Sequence, residues 1–218
     1  MIRAFGPNEF LFIVMAVQWT IALSAVAFAG GAVGGLLIAL ARTSKPRVLR
    51  YSALVFIRIF QGTPLLMQLF LVFFGLNIFG IGINPWIAAA IALTLHASAF
   101  LGEIWRGCIE AVPSGQSEAA WALGLGYRDT MTSIVLPQAA RIAVAPTVGF
   151  LVQLIKGTSL ASIIGFVEMT RAGQIINNAT FAPLTVFSVV ALLYFILCWP
   201  LSMLARSVEL RFAAANRR

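Results

Sequence analysis

The residues able to carry chemistry in this chain are few. One histidine, His96, and two cysteines, Cys108 and Cys198, stand at unrelated spacings, so the ligand set of a zinc site is missing. Catalysis inside a membrane would need a nucleophile with a base, or a pair of carboxylates, and His96 has no acid beside it in sequence. Lys156-Gly157-Thr158 lacks the glycine spacing of a phosphate loop, so any ATP hydrolysis belongs to another chain. What remains is a set of polar groups inside apolar runs: Arg58, Gln61, Thr63, Pro64, His96, Gln153, Lys156, Thr158 and Ser159. An ionisable side chain in hydrocarbon is costly, and by default it marks a route for a polar solute.

Depth along straight helices, at about 1.5 Å per residue, puts Arg58 roughly 10 Å in, Gln61 to Pro64 roughly 15 to 20 Å, His96 roughly 15 Å and Lys156 roughly 22 Å. These positions bracket a bilayer centre. Pro64 removes a backbone donor and Gly157 with Thr158 interrupts a helix, and broken helices at mid-depth build solute sites in transporters. Each residue also has a plainer reading. His96 fits a hydrogen-bonded helix contact, Arg58 fits a side chain that snorkels to headgroups, and Glu103 with Arg106, three apart, fits an ion pair on a helix surface.

The elements that must hold these residues are membrane helices. Of 218 residues 61% are hydrophobic and only 10% charged, whereas soluble domains carry about a quarter charged. No charge occurs from Phe10 to Ala41, and none from Ile59 to Gly102, a run divided by the turn formers between Gly75 and Pro85. With Pro137 to Ile155 and Pro183 to Ala205 the expected count is five crossings, since a span needs roughly 20 residues. A signal peptide cleaved near Ala25 to Gly30 is the competing reading of the first run. That run continues to Ala41 and ends in a basic cluster, which retains it as a helix.

Arg42, Lys45, Arg47 and Arg50 follow the first crossing, Arg106, Arg128 and Arg141 the third, and Arg206, Arg211, Arg217 and Arg218 the last. The alternate face has Arg3 and Arg171, so the positive-inside bias predicts an outer N-terminus and a cytoplasmic C-terminus. The same bias, with anionic headgroups, accounts for the net charge of +8 without nucleic acid. The longest polar connection, about 107–136, is too short for a soluble domain, so residues 1–218 form one transmembrane domain. Gly30, Gly31, Gly34 and Gly35 form two overlapping small-xxx-small pairs that admit a close helix, from this subunit or another. Cys108 and Cys198 read as packing residues.

The connection carries Glu118-Ala119-Ala120, three residues, Gly124, nine residues, then Ile134-Val135-Leu136-Pro137. This resembles the EAA loop of ABC importer permeases at each of its seven fixed positions. Gln61 to Leu69 resembles the R-G-T-P-L-L-x-Q-L segment of the polar amino acid permeases, the histidine, glutamine, arginine and glutamate importers. Glu103 to Gly107, Val112 to Gln116 and Leu154 to Leu160 are similar to further landmarks of that group, so the likeness runs from about Tyr51 to Gly173. It departs at Gln61, where the family has arginine, and at Gly157, where many members have aspartate.

The resemblance implies an all-α type I importer permease with a cytoplasmic coupling helix, located in the bacterial inner membrane as a multi-pass protein. Glu118, Ala119, Ala120, Gly124, Ile134, Leu136 and Pro137 would dock into a cleft of an ATPase subunit. ATP and magnesium would reside there, with no cofactor on this chain. Ser114 after Pro113 fits a cap for the coupling helix. A second permease copy or paralogue and a periplasmic solute-binding protein are implied too, the latter meeting outer loops near Asn77 to Pro85 and Glu168 to Pro183. An ion-gradient-driven secondary transporter is the alternative, and it would want inverted repeats and midplane carboxylates that this sequence lacks. Arg58 and Lys156, with no acid at mid-depth, favour a neutral polar or acidic amino acid over a cationic one, because an unpaired buried charge is costly.

Overall fold

Pro7 opens the first helix, where its missing N–H costs nothing, and the helix runs without interruption to Thr43 (α1, Pro7–Thr43). The computed structural model describes residues 4–215; Arg3, Arg217 and Arg218 of the charge count lie outside the described residues. α1 is apolar all round, yet the chain buries only one stripe of it, Ile13, Ala16, Thr20, Leu23, Ala27, Gly31, Gly35 and Ala39. The rest is left to lipid or to a partner.

A second helix (α2, Arg47–Gly62) meets a third (α3, Leu65–Ile78) at an angle of 104°. The cause is local. Pro64 has no N–H for the Phe60 carbonyl, and Thr63, as the residue before a proline, is driven to extended backbone at φ −117°, ψ 141°. The straight second crossing assumed for the depths of Arg58 and Gln61 is therefore corrected to an elbow. α2 is amphipathic, with Ala53 and Ile57 buried and Arg47, Arg50 and Arg58 exposed.

Asn84 caps the next helix (α4, Pro85–Glu110), its Oδ1 accepting from the Trp86 N–H at 2.8 Å. A short helix (α5, Ser114–Ala122) follows, then a long one (α6, Tyr127–Ser162) with a π turn at Met131–Val135 and a tighter 3-10 turn at Thr158–Ser162. The last two are α7, Met169–Thr180, and α8, Pro183–Ala215. α1, α4, α6 and α8 are long and apolar enough to cross a membrane, and the count reaches five if the bent α2–α3 pair is one span. α6 begins ten residues before Pro137, so the end of the expected coupling loop is already helix.

The glycine stripe of α1 finds its partner within the chain. A Cβ on Gly31 would collide with the Ala97 Cβ, and one on Gly35 would come within 2.8 Å of the Leu101 Cβ. Such an approach lets two backbones meet where lipid offers no hydrophobic drive to associate. The core extends from this seam through Leu69 of α3 to Phe150 and Leu154 of α6.

Beyond α6, the Glu168 carboxylate is fully buried and accepts from the N–H groups of Thr170 and Arg171 at 2.9 and 2.8 Å, and from the Tyr194 hydroxyl at 2.9 Å. It caps α7. Burial pushes this carboxyl above its usual range and the three donors draw it partly back. The expectation of an open loop from Glu168 to Pro183 is corrected: Glu168 is inaccessible and residues 169–180 are helix, leaving Phe181, in left-handed backbone at φ 51°, as the exposed turn.

Candidate functional site

Two groups of residues bear on function. The first is the segment expected to act in coupling, termed the coupling segment. Pro113, with extended ψ, is the N-cap of α5, and no side chain caps the helix, so the cap expected from Ser114 is corrected to the first helical position. At the other end the helix stops by a Schellman arrangement. The Gly124 N–H reaches the Trp121 carbonyl at 2.9 Å and the Leu125 N–H reaches that of Ala120 at 3.0 Å. Gly124 sits at φ +79°, a left-handed conformation that costs any residue with a Cβ, whereas Gly126 lies at φ −71°.

This stop leaves an unusual surface. Ala120 is buried, while Glu118 and Ala119 stand exposed beside Trp121 and Leu123, which are 57% and 81% exposed. The segment is anchored from below. Val135 and Ala139 of α6 join Ala39, Ile109 and Val112 in a small core. Ile134 and Leu136 are half-buried beside it and Pro137 is exposed near the α6 turn. The Tyr127 hydroxyl donates to the Thr43 carbonyl at 3.3 Å, and the Lys45 ammonium lies 5.3 Å from the centre of the Tyr127 ring. Motion of α5 is thereby tied to the ends of α1, α4 and α6.

The second group surrounds the elbow, and its organising residue, Gln68, was not singled out in the sequence. Gln68 Nε2 donates to the Phe60 carbonyl at 2.7 Å and to the Thr63 carbonyl and hydroxyl at 3.0 Å each. The Phe60 carbonyl is the one that Pro64 deprives of a donor. Carbonyls only accept, so they fix the amide orientation, and Gln68 Oε1 must face His96 Nδ1, 3.1 Å away. His96 Nδ1 therefore donates, and a neutral ring is left with Nε2 as a free acceptor. Phe100 and Phe150 stack against the imidazole, with centroids at 4.5 and 6.5 Å. Gly157 closes the group: a Cβ there would come 3.1 Å from Leu65, the first residue of α3.

The other expected path residues are placed differently. Gln153 and Lys156 share an exposed face of α6 that this chain leaves uncovered, opposite buried Leu154 and Ile155. Ser159 is half-buried and donates to the Lys156 carbonyl at 2.7 Å, while Thr158 is fully buried with its hydroxyl on the Ile155 carbonyl. Arg58, Gln61 and Pro64 are exposed around the elbow. The Glu103–Arg106 pair expected on the helix surface is present, the guanidinium taking both Glu103 oxygens at 2.9 and 2.6 Å and also reaching Glu110. Both cysteines are free and buried.

A family model described as the binding-protein-dependent transport system inner membrane component matches residues 31–213. The chain belongs to this family. The permease is 37% identical over 206 residues to the probable amino-acid ABC transporter permease protein YckA of Bacillus subtilis strain 168, covering 94% of this chain and 91% of that one. It is 36% identical over 196 residues to the glutamine transport system permease protein GlnP of Escherichia coli K12, covering 89% and 90%. A crystal structure of an amino acid ABC transporter with histidines superposes with a TM-score of 0.87 at 32% identity, covering 92% and 94%. The inward-facing MetNI methionine ABC transporter shares the fold, with a TM-score of 0.76 at 21% identity over 94% and 99%. The permease is thus a multi-pass membrane component of a binding-protein-dependent transporter, and the gradient-driven alternative falls away.

Proposed function

We propose that this permease carries a polar amino acid across the bacterial inner membrane by alternating access, driven by a separate ATPase subunit. The observation that carries the reading is the exposed, glycine-stopped helix α5, whose apolar end has no cover in this chain and whose base is tied to three membrane helices. Glu118, Ala119, Ala120 and Gly124 would enter a cleft of the ATPase, with Ile134, Leu136 and Pro137 passing the movement into α6. ATP and magnesium would bind to that partner and no cofactor to this chain. The coupling end is then cytoplasmic, with the N-terminus outside.

The uncovered α6 face with Gln153 and Lys156 supports a second permease copy or paralogue, because a lysine facing lipid at mid-depth is costly. Arg58, Gln61, Thr63, Pro64, His96, Thr158 and Ser159 belong to the translocation region as lining or as support for it. A soluble binding protein would dock at the opposite end, near Ile78 to Ile81 and Phe181. Lys156 and the free His96 Nε2 acceptor suit a carboxylate and an ammonium. The substrate class is a neutral polar or acidic amino acid, and glutamine is the named cargo of one relative.

Reconstituting the permease with its ATPase and binding protein tests this. Wild type is expected to accumulate labelled glutamine or glutamate and to hydrolyse ATP faster with loaded binding protein. Glu118→Lys should insert normally and lose that stimulation. Unchanged stimulation removes the coupling assignment, and preferred uptake of arginine, or unchanged uptake in Lys156→Met, removes the substrate assignment.

A further inference from the structure

The turn between α1 and α2 gathers four cations, Arg42, Lys45, Arg47 and Arg50, and among the described residues none is ion-paired with a carboxylate. The nearby acids Glu103 and Glu110 are both held by Arg106. Two cavities open at this turn. One, of about 650 Å³, is bounded by Arg42, Arg47 and Arg50 with Val48, Tyr51 and Leu54. The other, of about 470 Å³, shares Arg42 and Arg50 and reaches Ser117 of the coupling helix and Met131 and Val135 of α6, with Glu110 on its wall. Arg42 Nε is buried without a hydrogen-bond partner. α2 begins here with no side-chain cap and no acid in its first turn, so its free N–H groups add positive potential.

We propose that this cleft binds the phosphate headgroup of an anionic phospholipid, and that the bound lipid holds the α1–α2 turn against the coupling segment. Three unpaired guanidiniums around one cavity suit a phosphate. A lipid, and not a free phosphate ion, fits the rest of the site. Val48 and Tyr51, 81% and 67% exposed, flank the arginines on an amphipathic helix, where acyl chains would cover them. Basic pockets at the cytoplasmic surface recruit anionic lipids in this way. Neutralising Arg42 and Arg50 from the cleft would let the turn close on Ser117, beside the existing Tyr127 and Lys45 links to α1 and its turn. The effect on coupling rests on the function proposed for α5, whereas the lipid binding does not.

The test uses the complete transporter in nanodiscs of phosphatidylcholine, with or without phosphatidylglycerol, and reads two quantities. Native mass spectrometry of the complex counts retained phosphatidylglycerol. ATP hydrolysis with loaded binding protein reads coupling. Wild type should retain the anionic lipid and hydrolyse faster in its presence. Retention should fall about fivefold for each of Arg47→Gln and Arg50→Gln, stay near wild type in Arg47→Lys with Arg50→Lys, and be unaffected by Arg206→Gln on α8. Equal retention in wild type and the glutamine variants overturns the site, and so does displacement of the lipid by millimolar inorganic phosphate. Retention without any change in ATP hydrolysis overturns the hold on the coupling segment. If one glutamine variant fails to assemble, the other gives the same comparison. A wild type that shows no stimulation in any lipid points instead to failure of the coupling function.

Discussion

The α1–α4 seam and the coupling segment are both built from glycine and alanine, and they use these residues to opposite ends. In the seam, Gly30, Gly31, Gly34 and Gly35 are small because Thr94, Ala97, Ser98 and Leu101 occupy the space that side chains would need. In the coupling segment, a Cβ on Gly124 would meet nothing within 4 Å, and Ala119 is exposed. The seam is complete within one chain. The coupling segment has its shape fixed by backbone hydrogen bonds and its surface left open, so a substitution there should alter assembly with a partner more than folding of the permease.

The largest expected effect tests the seam. Gly31→Leu would drive a side chain into α4 and should cost about 3 kcal/mol or more, the upper range for overpacking. The checks are membrane abundance and thermal unfolding in detergent, and a variant as stable as wild type would show that the seam tolerates separation. Next is the coupling segment. Gly124→Leu should cost about 1 to 2 kcal/mol in the left-handed backbone and lower uptake-linked ATP hydrolysis. Gly126→Leu, in ordinary backbone, should behave near wild type at equal abundance. Equal losses in the two would dissolve the distinction between a required conformation and a merely small residue.

Between the two regions lies the elbow, where buried hydrogen bonds and not close packing do the holding. Gln68→Leu would strand the Phe60 carbonyl and release His96, for an expected loss of about 1 to 3 kcal/mol, seen as a lower unfolding temperature. Gln68→Met should do the same, while a loss confined to transport would place Gln68 in the solute route instead. The smallest effect concerns Glu168. Its carboxyl is raised in the folded state, so its contribution to stability is fully present below the ordinary carboxylate range and declines as pH rises through the raised value. Unfolding measured from acid to neutral pH should show that decline in wild type and not in Glu168→Gln. Parallel curves would mean that the three hydrogen bonds fully offset burial.

The crossings were legible because hydrocarbon demands long charge-free runs, and the short helix α5 was legible as part of a motif with fixed spacing. The glycine at the stop, Gly124, was visible as one of the fixed positions of that motif. Its Schellman hydrogen bonds were not. The glycine pairs of α1 announced a close approach without naming α4, since a small residue records the neighbour's proximity and not its identity. Pro64 announced a lost donor, but a count of rise per residue assumes a straight axis, and the 104° elbow removes that assumption. Gln68 was hidden for the same reason: only across a sharp bend can a side chain reach the carbonyl eight residues earlier. Glu168 looked like a loop acid because sequence shows charge and not burial.

The seam also has a consequence for how the protein is made. α1 emerges from the ribosome well before α4, with the elbow helices between them, so its glycine face must wait in lipid for a partner that does not yet exist. Lipid chains can fill that shallow groove meanwhile. The bend at Pro64 and the Gln68 hydrogen bonds to Phe60 and Thr63 need only α2 and α3, but the contact between Gln68 and His96 must wait until α4 is in place. An early truncation that ends before Pro85 would therefore leave α1, α2 and α3 inserted but without a fixed arrangement, a substrate for membrane quality-control proteases.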